Sequence, residues 1–202
     1  MKLVAWGRAV KTRTRARAGG RVPVLWLFTD PGRGADPVAA AGRLPKGLCG
    51  VVFRHDGVAG RAALARAVAR VCRARRLAMV VAGDGRLAAA LGVGVHLRGG
   101  RWPDSLRRKV LPAGAVVSSS AHSIEQVRRA RLAGAELVFL SPAFPTASHT
   151  GAPGLGPSRW GVLARGGGLC RILALGGVTG RSARRLPGRF LDGAGAIGAL
   201  GG

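Results

Sequence analysis

Eight short apolar runs recur between Val24 and Gly198, most of them separated by an Ala/Leu/Arg segment of helical period, and this alternation predicts an α/β fold. In 202 residues of 48% hydrophobic composition, eight strands with their crossovers predict a compact (β/α)8 TIM barrel whose final helix is truncated. A doubly wound open sheet is the alternative. It would usually carry a Gly-rich loop after its first strand, whereas here that strand ends Phe28-Thr29-Asp30-Pro31-Gly32, without GxGxxG spacing.

Residues 1–22 stand apart as a basic N-terminal segment, with 23–202 as the barrel. They hold Arg8, Lys11, Arg13, Arg15, Arg17 and Arg21 and no acid, the first carboxylate being Asp30. Such a start resembles a transit peptide; a basic tail or short helix ahead of the domain is the simpler expectation. The strands are expected at Val24–Phe28, Cys49–Phe53, Leu77–Ala82, Gly94–Leu97, Ala115–Ser118, Leu137–Leu140, Arg171–Leu175 and Gly195–Gly198. Between the second and third, Arg61 to Arg75 reads as a helix, with Leu64, Val68, Val71 and Cys72 on one face. Another begins at Ser123, where Ser-Ile-Glu-Gln forms a capping box, and Gly134 can terminate it. The chain stops four residues after the eighth strand, so 1–22 or a second subunit is expected to cover the surface that a closing helix would occupy, the latter making a homo-oligomer.

The charge is extreme: 33 Lys and Arg against 8 Asp and Glu, net +25. The arginines are spread over every predicted helix in an Ala/Gly/Arg background, and without Tyr and with only five Phe there are few platforms for stacking bases. Specific nucleic-acid recognition is therefore not expected, although salt-sensitive adsorption to polyanions is. No apolar run approaches the ~20 residues of a membrane span, and no secretory signal is visible. Cys49, Cys72 and Cys170 are odd in number and far apart, which suits buried thiols in a reducing cytoplasm.

The chemistry concentrates at predicted C-terminal strand ends. After the sixth strand the chain enters a Ser, Thr, Pro, Gly and His loop, Ser141 to Trp160, where an α/β protein holds a ligand. Gly176 and Gly177 after strand seven, opening a helix, and Ile197 and Gly198 after strand eight form the best phosphate site, because glycines let backbone N–H groups approach an anion.

In sequence order these segments resemble the thiamine phosphate synthase/TenI family over roughly residues 24–200. The match rests on Leu27-Phe28-Thr29-Asp30, Val52-Phe53-Arg54, Gly94-Val95-His96-Leu97, Ser120-Ala121-His122-Ser123 and Leu175-Gly176-Gly177-Val178. Its most specific element is Ser141-Pro142-Ala143-Phe144-Pro145-Thr146 after the strand Leu137–Leu140. The resemblance implies thiamine biosynthesis, with an aminopyrimidine diphosphate coupled to a thiazole phosphate and diphosphate released. It places Arg54 and Ser120 on the diphosphate, Asp84 on Mg2+, and Thr146 and Ser148 in the phosphate-contacting loop.

The departures from the family pattern concern the same site. Asp56 stands where a lysine is usual, Val52 for a glutamine and Gly83 for an asparagine. The second magnesium aspartate falls at Arg101 and the loop lysine at His149. One of two carboxylates is thus missing, so a weakened Mg2+ site is expected; Arg101 is either a guanidinium that binds phosphate oxygens directly in the ion's place or, the simpler expectation in this background, one more surface arginine. His149 is the candidate acid/base or phosphate contact, and the scattered His55, His96, His122 and His149 argue against zinc. A TenI-like thiazole tautomerase or a binding-only regulator is the alternative. The histidine of that branch is Pro142 here, leaving His149 or His122 to substitute.

Overall fold

The protein is described by a computed structural model covering residues 2–15, 22–33, 35–103, 110–146, 151, 153–197 and 200. Eight parallel strands close into a barrel in sequence order. They are β1 Leu25–Phe28, β2 Cys49–Phe53, β3 Ala78–Ala82, β4 Gly94–Arg98, β5 Val117–Ala121, β6 Leu137–Leu140, β7 Arg171–Ala174 and β8 Gly193–Ala196, with β8 pairing back onto β1. The helices are α1 Leu3–Arg15 before the barrel and α2 Pro37–Arg43, α3 Arg61–Ala74, α4 Gly85–Leu91, α5 Ile124–Leu132 and α6 Gly156–Ala164 after β1, β2, β3, β5 and β6.

Two strands differ from expectation by more than one residue at an end. β5 continues through Ser119 and Ser120 to Ala121, because the serines pair with Leu97 and Arg98 on one side and with Val138 and Phe139 on the other. β8 lies two residues earlier than its apolar signature, since Gly193 and Ala194 pair with Leu173 and Ala174 while offering almost no side chain to read.

Alternation along the strands divides two cores. Leu25, Leu27, Val51, Val81, Val95 and Leu97 face the helices, while Trp26, Phe28, Val52, Val80, Leu137, Phe139 and Leu173 fill the barrel. The large interior rings depend on small neighbours. A Cβ at Gly50 would lie 2.8 Å from the Trp26 ring, and one at Gly195 would lie 2.7 Å from Phe28. Trp26 and Phe28 each meet Phe139 edge to face, at 6.0 and 4.9 Å between centroids.

α1 packs onto the outside of the barrel at β1 and β8. Leu3, Trp6 and Val10 are buried, Gly7 lies so close that a Cβ would sit 2.5 Å from Leu25, and Arg13 donates to the Leu191 carbonyl at 3.1 Å. The basic N-terminal segment thus supplies core side chains. Among the described residues no helix follows β8, and the segment after β7 forms only a 3-10 turn, Ser182–Arg185. Pro187 explains its brevity: the preceding Leu186 is held extended, with φ −77° and ψ 150°. No helix of the described residues is long and apolar enough to cross a membrane.

Candidate active site

A cavity of about 700 Å³ opens at the C-terminal mouth of the barrel, within the range usual for small-molecule sites. Every strand contributes to its lining. Phe28, Arg54, Ala82, Arg98, Ser120, Ser141, Leu175 and Ile197 sit on or just after the eight strands in turn. Barrel closure puts β4 four strands from β8, so Arg98 faces the glycine-rich end of β8 across the mouth.

The floor is aromatic and neutral. His96 is only 4% exposed, its Nδ1 lies 2.9 Å from the Ser118 hydroxyl, and its ring meets Phe28 edge on at 5.6 Å. Burial, reinforced by the nearby Arg98 and Arg54 charges, pushes its pKa down to about 3, so the imidazole is uncharged at neutral pH. His55 sits behind the Arg54 wall, stacked on Phe53, with Nδ1 2.9 Å from the Thr29 hydroxyl. Burial lowers its pKa too, against the opposing pull of Asp30 and Asp56.

On the β1–β4 side the charges form pairs. Arg54 donates to Asp30 at 2.8 Å, and its backbone N–H donates to the Thr29 hydroxyl at 2.9 Å. Arg98 pairs with Asp56, and Arg61 bridges Asp84 at 2.6 Å and Asp56 at 3.5 Å while also donating to the Ala82 carbonyl. Three carboxylates therefore stand among Arg33, Arg54, Arg61 and Arg98, of which Arg33, Arg54 and Arg98 line the cavity.

On the opposite wall the loop after β6 is bound to the end of β7. Ala143 N–H donates to Leu175 O at 2.8 Å and Phe144 N–H to Gly176 O at 3.1 Å. Gly177 has φ +62°, and a Cβ there would lie 2.4 Å from the Pro145 carbonyl, so only glycine allows this contact. The Ser141–Pro142 peptide is cis. Further along, Thr179 and Ser182 cap each other, with Thr179 N–H on Ser182 Oγ at 2.8 Å and Ser182 N–H on Thr179 Oγ1 at 3.0 Å. A four-residue 3-10 turn replaces the expected helix, so the backbone of 176–179 rather than a helix dipole would face an anion.

Of the residues singled out in the sequence, Arg54, Ser120, Thr146, Gly176, Gly177 and Ile197 line this one cavity. Ser148, His149 and Gly198 lie outside the described residues. Arg101 and Asp84 are not in the lining. Arg101 follows the Gly99-Gly100 turn, which leaves the mouth and packs on α5, where a Cβ at Gly100 would lie 2.4 Å from Ala130 N. Asp84 caps α4, accepting from Leu87 N–H at 2.9 Å, and is held by Arg61.

Arg33, Arg98, His122 and Thr179 are cavity residues that sequence reasoning passed over as site residues or treated as structural. Arg98 was detectable, because Gly94, His96 and Arg98 share the inward parity of β4. His122 was expected to precede a cap and, on the tautomerase alternative, to stand in with His149 for the missing histidine. Its Nδ1 donates to the Ser141 carbonyl at 2.9 Å and its N–H to Gln126 Oε1 at 2.9 Å. Ser123 caps Gln126 N–H as the capping box requires, but the return bond reaches His122 rather than Ser123, and so orients a cavity residue.

The donor set does not suit the Mg2+ that the family resemblance implies. That ion wants carboxylates in near-octahedral array with water and phosphate. Here the carboxylate of Asp84 is already shared between a guanidinium and a backbone N–H, and Asp56 is shared between two guanidiniums. Among the described residues no three His, Cys, Asp or Glu groups converge to hold a metal.

Residues 32–200 match the TMP-TENI family model, thiamine monophosphate synthase. The thiamine-phosphate synthase of Geobacillus kaustophilus is 33% identical over 155 residues, covering 73% of this chain and 70% of the relative. That of Methanoculleus marisnigri is 31% identical over 184 residues, covering 87% and 86%. The solved thiamine phosphate pyrophosphorylase of Pyrococcus furiosus has the same fold, with a TM-score of 0.69 at 18% identity over 91% of this chain and 89% of that one.

Proposed function

The chain belongs to the thiamine monophosphate synthase family, and from that premise we propose that it couples an aminopyrimidine diphosphate to a thiazole phosphate. The thiazole nitrogen attacks the pyrimidine methylene carbon, the carbon–oxygen bond to diphosphate breaks, and diphosphate leaves with the bonding pair. No proton changes hands at the reacting atoms. The protein's task is to align two anionic substrates and stabilise the charge on the departing one.

The observation that carries this reading is the pair of unlike walls across one mouth. Guanidiniums of Arg33, Arg54 and Arg98 line the β1–β4 side, where a diphosphate needs cations, with Ser120 beside them on β5. The backbone of Gly176 to Thr179 and Ile197 lines the opposite side, where a single phosphate is suited by N–H and hydroxyl donors. Between them Phe28, the neutral His96 and Leu175 offer an apolar and aromatic bed for two flat heterocycles. Thr146 lines the same cavity, and Ser148, His149 and Gly198 are assigned to phosphate contact by the sequence and its family resemblance alone.

Incubating the purified chain with both substrates and detecting thiamine phosphate tests the reading. Product that disappears in Arg54→Ala supports it. Binding of both substrates without product overturns it. That last outcome favours the second reading, a thiazole tautomerase or a binding-only relative. One observation recommends it: His122, a cavity histidine whose ring is oriented by the Ser141 carbonyl and whose backbone N–H is held by Gln126, is placed to move a ring proton. Exchange of a ring proton of the thiazole phosphate into solvent, lost in His122→Asn, would distinguish it.

A further inference from the structure

We propose that this site holds its diphosphate without a divalent metal, the guanidinium of Arg98 occupying the ion's position. The inference rests on the diphosphate-binding reading above and names the cation that serves it. Three observations lead to it.

First, Arg98 lies against Gly83, immediately before Asp84. A Cβ at Gly83 would be 3.0 Å from Arg98 Nε and 3.1 Å from Nη2, and Gly83 has φ +65°. The space is open to a guanidinium because the residue there has no side chain. Second, Arg61 neutralises Asp84 from the far side at 2.6 Å, with its own side chain only 17% exposed. A dication arriving at Asp84 would have to displace a largely buried guanidinium that also holds Ala82 O and Asp56. Third, Arg98 is the accessible member of the chain Asp84–Arg61–Asp56–Arg98. Its side chain is 59% exposed and its partner Asp56 is 43% exposed. An ion pair so open to water is weak and exchanges its carboxylate readily for a phosphate oxygen. Guanidinium bonds to phosphate are charge-assisted and bidentate, so the exchange favours the ligand.

The arrangement also assigns the role that Arg101 has in the sequence. Arg98, three residues earlier and of inward parity on β4, reaches the mouth, whereas the glycine turn carries Arg101 away from it. Asp56 then holds Arg98 in place until the diphosphate arrives.

The test is titration calorimetry of the full chain with inorganic diphosphate, in excess EDTA and then with Mg2+. Saturable one-to-one binding in EDTA is expected, weakened about 10- to 100-fold in Arg98→Ala. Asp56→Asn, which releases Arg98, is expected to bind more tightly. Arg66→Ala, which removes the same charge from the exposed face of α3, is expected to bind like the parent, separating the site from general attraction to a basic protein. Binding that appears only with Mg2+ overturns the proposal, as does an Arg98→Ala protein that binds like the parent. Thiamine phosphate formed strictly with Mg2+ would sink this inference and leave the synthase reading intact. Arg98-dependent binding in EDTA without any product would do the reverse.

Discussion

Acidification from pH 7 to 4.5 should expose His96 as a specific weak point of the barrel. The imidazole is almost completely buried on the cavity floor, and its pKa is pushed from 6.5 to about 3, chiefly by burial. Between those two values the unfolded chain binds a proton that the native state refuses, so stability rises with pH across this window and is lost as pH falls through it. At about 1.36 kcal/mol per pH unit, the two units between 6.5 and 4.5 correspond to roughly 2.5 kcal/mol from this one group. In a chain of this size that is about 5–10 °C in Tm. His96→Gln retains a polar partner for Ser118 and cannot titrate, so the difference between the two proteins isolates the term from the carboxylates and from His55. Urea or thermal melts of both, taken every half pH unit, provide the assay. The variant should lose about 2.5 kcal/mol less than the parent over the interval. Parallel stability curves would refute the reasoning, because they would mean that His96 is hydrated or charged in the folded state.

Gly177→Ala forces a Cβ to 2.4 Å from the Pro145 carbonyl at a positive φ, so the loop after β6 must shift; thiazole-phosphate affinity should fall at least about tenfold and stability by about 1–3 kcal/mol, read by calorimetry and urea melts. Trp6→Ala removes a buried anchor of α1 and should cost about 3–5 kcal/mol in a urea melt while leaving diphosphate affinity unchanged, since α1 packs on the barrel wall away from the mouth. Burial pushes the thiols of Cys49 and Cys72 up to about 12, so at pH 8 an aromatic disulfide reagent should modify neither in the native protein and all three cysteines in denaturant.

The barrel itself was legible in the sequence, because alternating apolar runs and helical periods follow directly from which faces must be buried. The places where reading failed are those where the signal is carried by residues too small or too polar to look like a strand. The serines of β5 and the Gly193-Ala194 start of β8 become strand only because neighbouring strands supply their backbone partners. Two other features carried a local signal that the dominant basic and glycine-rich composition masked: Pro187, which leaves only a 3-10 turn after β7, and Leu3, Trp6 and Val10, which fall at helical spacing among the arginines of α1 and are buried.

The site divides in the same way. The order of residue types along the chain determined the family and brought Arg54, Ser120, Thr146, Gly176, Gly177 and Ile197 forward, since each stands at a predicted C-terminal strand end. Tertiary structure alone decided which charges meet. Asp56 and Arg61 share the β2–α3 unit, Asp84 follows β3 and Arg98 ends β4, and only the side-by-side pairing of these three strands joins the four charges. Strand parity and a two-glycine turn decided that Arg98, not Arg101, faces the cavity. Sequence lists the charged groups; pairwise distance, which sets their electrostatic energy, exists only in the folded chain.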